Sequence, residues 1–183
     1  MAAMRVAIVS DTHLPRRGSW DLPPACLAEI RAADLLVHAG DLADLAALRM
    51  LERIGPPLVA VHGNADAPAV RASLPSTATV ELPGMRLAVT HDGGAEAGRL
   101  ARLRRRFPGA GAVVFGHSHL PLLARAGDGF LICNPGSPTD RRRSPRHSMA
   151  VMEVDGTRPP AVRFLAVDDP AGPLRAELVR SSA

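Results

Sequence analysis

Met4–Val9 (MRVAIV) is a short apolar run rich in β-branched residues, and it runs straight into Ser10-Asp11-Thr12-His13. The same arrangement recurs four times. Leu35–His38 leads to Ala39-Gly40-Asp41, Leu58–His62 to Gly63-Asn64-Ala65-Asp66, Met85–Thr90 to His91-Asp92, and Ala112–Phe115 to Gly116-His117-Ser118-His119. Each run reads as a buried strand. The first three are separated by helical stretches, and strands alternating with helices argue for parallel βαβ units. In open sheets of that kind ligands bind at the carboxyl ends of the strands. The chain is therefore expected to gather Asp, His and Asn side chains from five strands at one edge. Glycine precedes Asp41, Asn64 and His117, which lets the backbone turn and bring those side chains inward.

The remaining elements follow from the same reading. Asp21-Leu-Pro-Pro opens a helix with Asp21 as N-cap and proline in the first turn. Ala43–Ile54 is amphipathic, with Leu45, Leu48, Leu51 and Ile54 on one side, and Gly55-Pro56-Pro57 stops it. A brief helix is expected around Ala67–Ser73. Thr77–Leu82 and Met85–Thr90 flank Pro83-Gly84 as a hairpin, and Ala95–Phe107 is helical. Further strands are expected at Leu122–Arg125, Phe130–Cys133, Met149–Val154 and Ala161–Val167. This order predicts a two-sheet α/β sandwich forming one domain over residues 1–183, with 168–183 as a weakly packed tail.

Taken singly, the polar groups are unremarkable: Asp11-x-His13 reads as loop polarity, Gly40-Asp41 as a helix cap and Gly63-Asn64 as a turn. Taken together, in order and each at a strand end, they read as one site. Imidazole and carboxylate donors without thiolate suit Mn, Fe, Ni or Zn. Seven donors exceed one tetrahedral site and suit two metals sharing a carboxylate. His38 and His62, just before the glycines, read instead as buried, neutral, hydrogen-bonded residues. His147, in an arginine-rich loop, reads as exposed. Cys26 and Cys133 make no disulfide framework and match no metal spacing, and Cys133 reads as a small core residue.

The 22 basic residues, all arginine, against 18 acidic ones leave a net charge of +4, which permits anionic partners without demanding them. No apolar stretch approaches the ~20 residues of a spanning helix, and the amino-terminal run is too short for a secretory signal, so a soluble, cytoplasmic protein is expected, with homo-oligomerisation left open.

The segments SDTH (Ser10–His13), HAGD (His38–Asp41), GNAD (Gly63–Asp66), TH (Thr90-His91), GHSH (Gly116–His119) and NPGS (Asn134–Ser137) resemble, as a set and in this order, the calcineurin-like metallophosphoesterases, in particular their small bacterial and archaeal phosphodiesterase branch. The resemblance runs to about Val154. It implies a four-layer αββα sandwich of two mixed sheets flanked by helices, with a dinuclear metal site. Asp11, His13, Asp41 and His119 would hold one ion; Asp41, Asn64, His91 and His117 would hold the other, with Asp41 bridging. Asp41, Asn64 and His91 would form the catalytic set. Mn or Ni comes first among the metals, with Fe, Zn or Mg as alternatives. Two dications about 3.5–4 Å apart would generate a bridging hydroxide that attacks the phosphorus of a small phosphodiester substrate. The segment Asn134–Ser137 would brace the loop of His117 and His119.

Two departures stand out. Many relatives carry a leaving-group-protonating His where this chain has Ala65, which favours diesters with acidic leaving groups and leaves His62 and Asp66 as candidate proton donors. Where relatives often show His-Gly-His, this chain has His91-Asp92-Gly93. The run Arg104–Arg106 reads as a solvated helix face. The run Arg141–Arg143 lies after NPGS, and Arg142 and Arg143 are the candidate contacts for substrate phosphate. A non-catalytic interaction scaffold and a nuclease are the competing readings. Nucleic acid is the less favoured partner because base-stacking aromatics are sparse, with four Phe, one Trp and no Tyr.

Overall fold

The computed structural model describes residues 3–15 and 21–168, so most of the expected tail, residues 169–183, lies outside the described residues. Ten strands and four helices alternate through them: β1 (Met4–Val9), α1 (Pro24–Arg31), β2 (Leu35–His38), α2 (Leu45–Arg53), β3 (Leu58–Ala60), α3 (Pro68–Ser73), β4 (Thr77–Leu82), β5 (Met85–Thr90), α4 (Arg99–Arg106), β6 (Ala112–Val114), β7 (Leu122–Arg125), β8 (Leu131–Asn134), β9 (Ser148–Val154) and β10 (Ala161–Ala166). They form two five-stranded sheets, ordered β10-β9-β1-β2-β3 and β4-β5-β6-β8-β7. Both sheets are mixed. In the first, β1, β2 and β3 run parallel while β9 runs antiparallel to both β1 and β10; in the second, β5, β6 and β8 run parallel between antiparallel edges.

The period-two alternation of strand side chains builds the layers. Val6 and Ile8 of β1, Leu35 and Val37 of β2, Leu87 and Val89 of β5 and Ala112 and Val114 of β6 fill one cluster between the sheets. Their neighbours face outward. Ala7, Val9 and Leu36 pack under Cys26 and Ile30 of α1, Leu48 and Leu51 of α2 and Val70 of α3. Ala88, Val113 and Ile132 pack under Leu103 of α4. The result is the expected four-layer αββα sandwich. Both cysteines are buried, Cys133 between the sheets and Cys26 on the inner face of α1; burial pushes each thiol up to about 12, so they behave as small apolar groups. No helix among the described residues is long and apolar enough to cross a membrane.

Helix starts depart from expectation for local reasons. α1 begins at Pro24 behind Pro23, with no side-chain cap, so Asp21 is not its N-cap. Proline disfavours helical backbone in the residue before it, and two in succession push the start beyond Asp21. α4 begins at Arg99 rather than Ala95, because Gly98 sits in left-handed geometry (φ 66°) and leaves 95–98 as a loop. The cap of α2 is Asp44, which accepts from the amides of Ala46 (2.9 Å) and Ala47 (3.0 Å). Asp41 is thereby left out of capping and points elsewhere.

Candidate metal centre

The loops after β1, β2, β3, β5 and β6 all reach the same end of the sandwich. Asp11, His13 and His119 lie with one candidate ligand atom each within 4.8 Å of one another, and so do Asp11, Asp41 and His91. Asn64 and His117 complete the cluster: Asn64 Oδ1 lies 3.0 Å from His91 Nε2 and 2.8 Å from His117 Nδ1. All seven residues expected from the sequence are thus brought together. Asp41 Oδ2 stands between the two halves, 3.3 Å from His91 Nε2 and 3.8 Å from His13 Nε2.

Backbone conformation aims these side chains. Asp11 (φ 56°), His13 (44°), Asp41 (59°), His117 (70°) and His119 (59°) all occupy the left-handed region. For residues with a Cβ this costs of order 1–3 kcal/mol each and persists only where the surroundings hold it. Of the glycines before Asp41, Asn64 and His117, Gly40 turns the backbone at φ 90°, whereas Gly63 and Gly116 serve close approach. A Cβ on Gly63 would lie 2.1 Å from Asp41 Oδ1, and one on Gly116 would lie 1.9 Å from Ser10 Oγ.

Hydrogen bonds fix which atoms face inward. The Nδ1–H of His91 donates to the Ala39 carbonyl (2.8 Å), and that of His119 donates to the Asp140 carbonyl, so both rings present an Nε2 lone pair. Asp11 accepts from the His117 amide (3.1 and 3.0 Å) and from Ser10 Oγ (2.6 Å). Asp41 Oδ1 accepts from the Ala65 amide at 2.8 Å. Asn134 bridges the Gly116 carbonyl (2.7 Å) and Ser118 Oγ (3.1 Å), and Ser137 Oγ donates to the Asp11 carbonyl (2.8 Å). The expected bracing of the His117–His119 loop by Asn134–Ser137 is therefore present.

The inward atoms suit a cation. His119 Nε2, an acceptor, faces the acceptor Asp11 Oδ1 at 3.3 Å and lies 3.3 Å from His13 Nε2. Two ligands bonded to one ion at about 2.1 Å with a tetrahedral angle stand about 3.4 Å apart, so a divalent ion fits these gaps. Charge is matched the same way. Burial would raise the Asp41 carboxyl, but the hydrogen bond and charge of His91, the Ala65 amide and His13 outweigh it and hold Asp41 at about 2. For His91, burial is overcome by Asp41 and Asp11 and its pKa rises; for His13, burial prevails over the same carboxylates and its pKa falls.

Other histidines divide. His38 is fully buried: the Gly40 amide donates to its Nδ1 (3.1 Å), so Nε2–H donates to Thr12 Oγ1 (3.0 Å), and burial draws its pKa down to about 4. It is the neutral structural histidine expected. His62 is only partly buried, and His147 is half-buried against Asp168 (3.1 Å) rather than simply exposed. Arg142 Nε lies 3.8 Å from the Asp140 carboxylate, and Arg142 and Arg143 are both exposed. Arg99 and Arg102 were missed by sequence reasoning; they donate to the carbonyls of Gly93, Gly94, Ala95 and Ala97, and thereby hold the loop that follows His91.

A family model described as the calcineurin-like phosphoesterase superfamily domain matches residues 4–157. A probable metallophosphoesterase of Methanothermobacter thermautotrophicus is 32% identical over 157 residues, covering 85% of this chain and 88% of that protein. Among solved structures, a conserved Streptococcus pneumoniae protein described as a predicted phosphoesterase is similar with a TM-score of 0.68 at 24% identity, covering 97% of this chain and 96% of that one. Vps29 of Entamoeba histolytica, in complex with Zn²⁺, is similar with a TM-score of 0.73 at 20% identity, covering 91% and 94%. Both structural likenesses speak to the fold.

Proposed function

Because the chain belongs to the calcineurin-like phosphoesterase superfamily, we propose that it is a divalent-metal-dependent phosphodiesterase acting on small diesters with a good leaving group. The observation that carries this reading is the convergence of seven oxygen and nitrogen donors from five strand ends, with the outer nitrogens of His91 and His119 tied to backbone carbonyls. Asp11, His13, Asp41 and His119 would hold one ion, and Asp41, Asn64, His91 and His117 a second, with Mn or Ni the metals of choice. Bound dications supply Lewis acidity to phosphoryl oxygens and acidify water near neutral pH.

The chain's own residues do the rest. Asp41 offers a carboxylate within reach of His13 on one side and His91 on the other, and Ala65 N–H holds it there. Asn64 turns Oδ1 toward His91 and His117, which leaves its Nδ2 donors for a substrate oxygen. Asp11, pinned by the His117 amide and Ser10, adds the second negative charge. Two carboxylates against two dications leave the loaded site cationic, which draws a phosphodiester anion.

Stripping the protein of metal and adding back Mn²⁺, Ni²⁺, Zn²⁺ or Mg²⁺ tests this against an aryl diester, the matching monoester and cyclic nucleotides. The stripped protein should be inert, with Mn²⁺ or Ni²⁺ restoring diester hydrolysis in preference to monoester. Metal uptake with no hydrolysis of any ester speaks for a scaffold, and steeply salt-dependent DNA binding for a nuclease. Arg142 and Arg143 are proposed to contact the substrate phosphate. Replacing both with Ala should raise KM for anionic diesters about tenfold with kcat unchanged, in line with the 1.5–3 kcal/mol of a hydrogen bond to a charged group; an unaltered KM removes them from the site.

A further inference from the structure

Asp66 is 4% exposed, and the hydrogen bonds to its carboxylate come from backbone amides. Oδ2 accepts from the amides of Asp41 (3.0 Å) and Gly63 (2.7 Å), and Oδ1 accepts from the amide of Ala43 (2.8 Å). Two of these donors belong to the loop after β2 and one to the loop after β3. A single side chain therefore ties the loop carrying Asp41 to the loop carrying Asn64. The backbone it grips is unfavourable on its own, with φ of 59° at Asp41 and 116° at Ala43. Charge-assisted bonds from a buried carboxylate are about twice as strong as neutral ones, which is what such a conformation needs. The tie is reciprocated: Ala65 N–H holds Asp41 Oδ1 at 2.8 Å, and the Ala67 amide donates to the Ala43 carbonyl at 2.8 Å.

We infer that Asp66 is a positioning residue of the metal centre, a clasp that fixes the backbone of Asp41 so that its carboxylate stands between the two halves of the site. This rests on reading the centre as a metal site. It also takes Asp66 out of the candidates for leaving-group protonation, since both of its oxygens are turned to backbone N–H groups and away from the open side where Asn64 and Ala65 are exposed.

The test compares wild type with Asp66→Ala and Asp66→Asn, each stripped of metal and titrated with Mn²⁺. Loss of an outer partner of a ligand typically costs about 10–100-fold in metal affinity, and Asp66→Ala should lose that much. Asp66→Asn should fall between, because its one oxygen still serves Asp41 and Gly63 while its NH₂ opposes the Ala43 amide. In the electron paramagnetic resonance spectrum, the signal of a coupled manganese pair in wild type should give way to isolated ions in Asp66→Ala. Amide exchange at Asp41, Ala43 and Gly63, slow in metal-free wild type, should quicken in both variants. At saturating metal the ratio of aryl to alkyl diester turnover should match wild type. Wild-type affinity and a coupled signal in Asp66→Ala overturn the inference, as does selective loss of alkyl turnover with metal binding intact, the signature of a proton donor. If wild type itself takes up no manganese, the reading of the centre falls and the inference with it; if wild type loads and the variants load equally, the inference alone falls. Should Asp66→Ala fail to fold, Asp66→Asn carries the same comparison.

Discussion

Replacing Asp41 with Asn should empty the proposed metal centre and lower hydrolysis of an aryl diester by at least about a thousandfold. The substitution is isosteric, so the effect comes from charge and from the amide's forced orientation. Two unit charges 4 Å apart at an effective dielectric of 20 interact by about 4 kcal/mol, and a dication doubles that. At about 1.4 kcal/mol per factor of ten, even the smaller figure is roughly three powers of ten in ion affinity. The network decides which way the amide turns. Ala65 N–H points at Oδ1 from 2.8 Å and demands an acceptor there, so the NH₂ takes the place of Oδ2. That place is 3.3 Å from His91 Nε2 and 3.8 Å from His13 Nε2. The amide then donates to lone pairs that should meet a metal, and it blocks the gap as well as discharging it. Elemental analysis of the purified variant and its rate on an aryl diester check this. Full metal content with a rate within tenfold of wild type would remove Asp41 from its central role.

How much of this was legible beforehand differs by level. β1, β2, β4, β5 and β7 appear with the bounds that alternation and turn residues gave, because each is a short apolar or alternating run. Between β4 and β5 the Pro83-Gly84 turn is read directly, since Gly84 at φ 71° supplies the positive φ that a Pro-Gly turn requires. Identity of the seven clustered residues was legible too, since strand ends in such sheets share one edge. Their backbone was not. Asp and His visit left-handed geometry more readily than most residues, but that preference is too weak to mark out Asp11, His13, Asp41, His117 and His119, which tertiary hydrogen bonds hold there. The same applies to Asp66, whose three partners come from loops brought together only by folding, and to the Asp140 carbonyl, a backbone atom with no side-chain signal. Arg99 and Arg102 were hidden by the expected helix start at Ala95, because only the observed start at Arg99 puts them in the first turn. Cations in the first turn of a helix oppose its dipole, and here they are held by loop carbonyls.

The second large effect concerns what leaves rather than what attacks. At matched size, an aryl diester should be hydrolysed about 10²–10⁴-fold faster than an alkyl diester, the contribution that a positioned general acid makes when the leaving group is poor. The reason lies in one methyl group. Position 65 is exposed beside the centre and its amide touches Asp41, so a side chain there has access to the leaving oxygen, but Ala65 carries no proton. Asp66 is committed to three amides, and His62 turns Nδ1 toward its own neighbour's carbonyl, Gly63, at 3.3 Å. An aryloxide departs without help because its conjugate acid is already acidic, whereas an alkoxide does not. Ala65→His should therefore raise alkyl turnover by one or more powers of ten and leave aryl turnover within a few-fold, with a new falling limb in the alkyl pH profile above the pKa of the introduced imidazole, ordinarily about 6.5. The direction follows from the chemistry: a general acid works while protonated, so its help fades as pH rises through that value. Equal rates on aryl and alkyl diesters in the parent protein, with chemistry rate-limiting, would mean that a proton reaches the leaving group from some other donor, and the absent side chain at position 65 would then explain nothing.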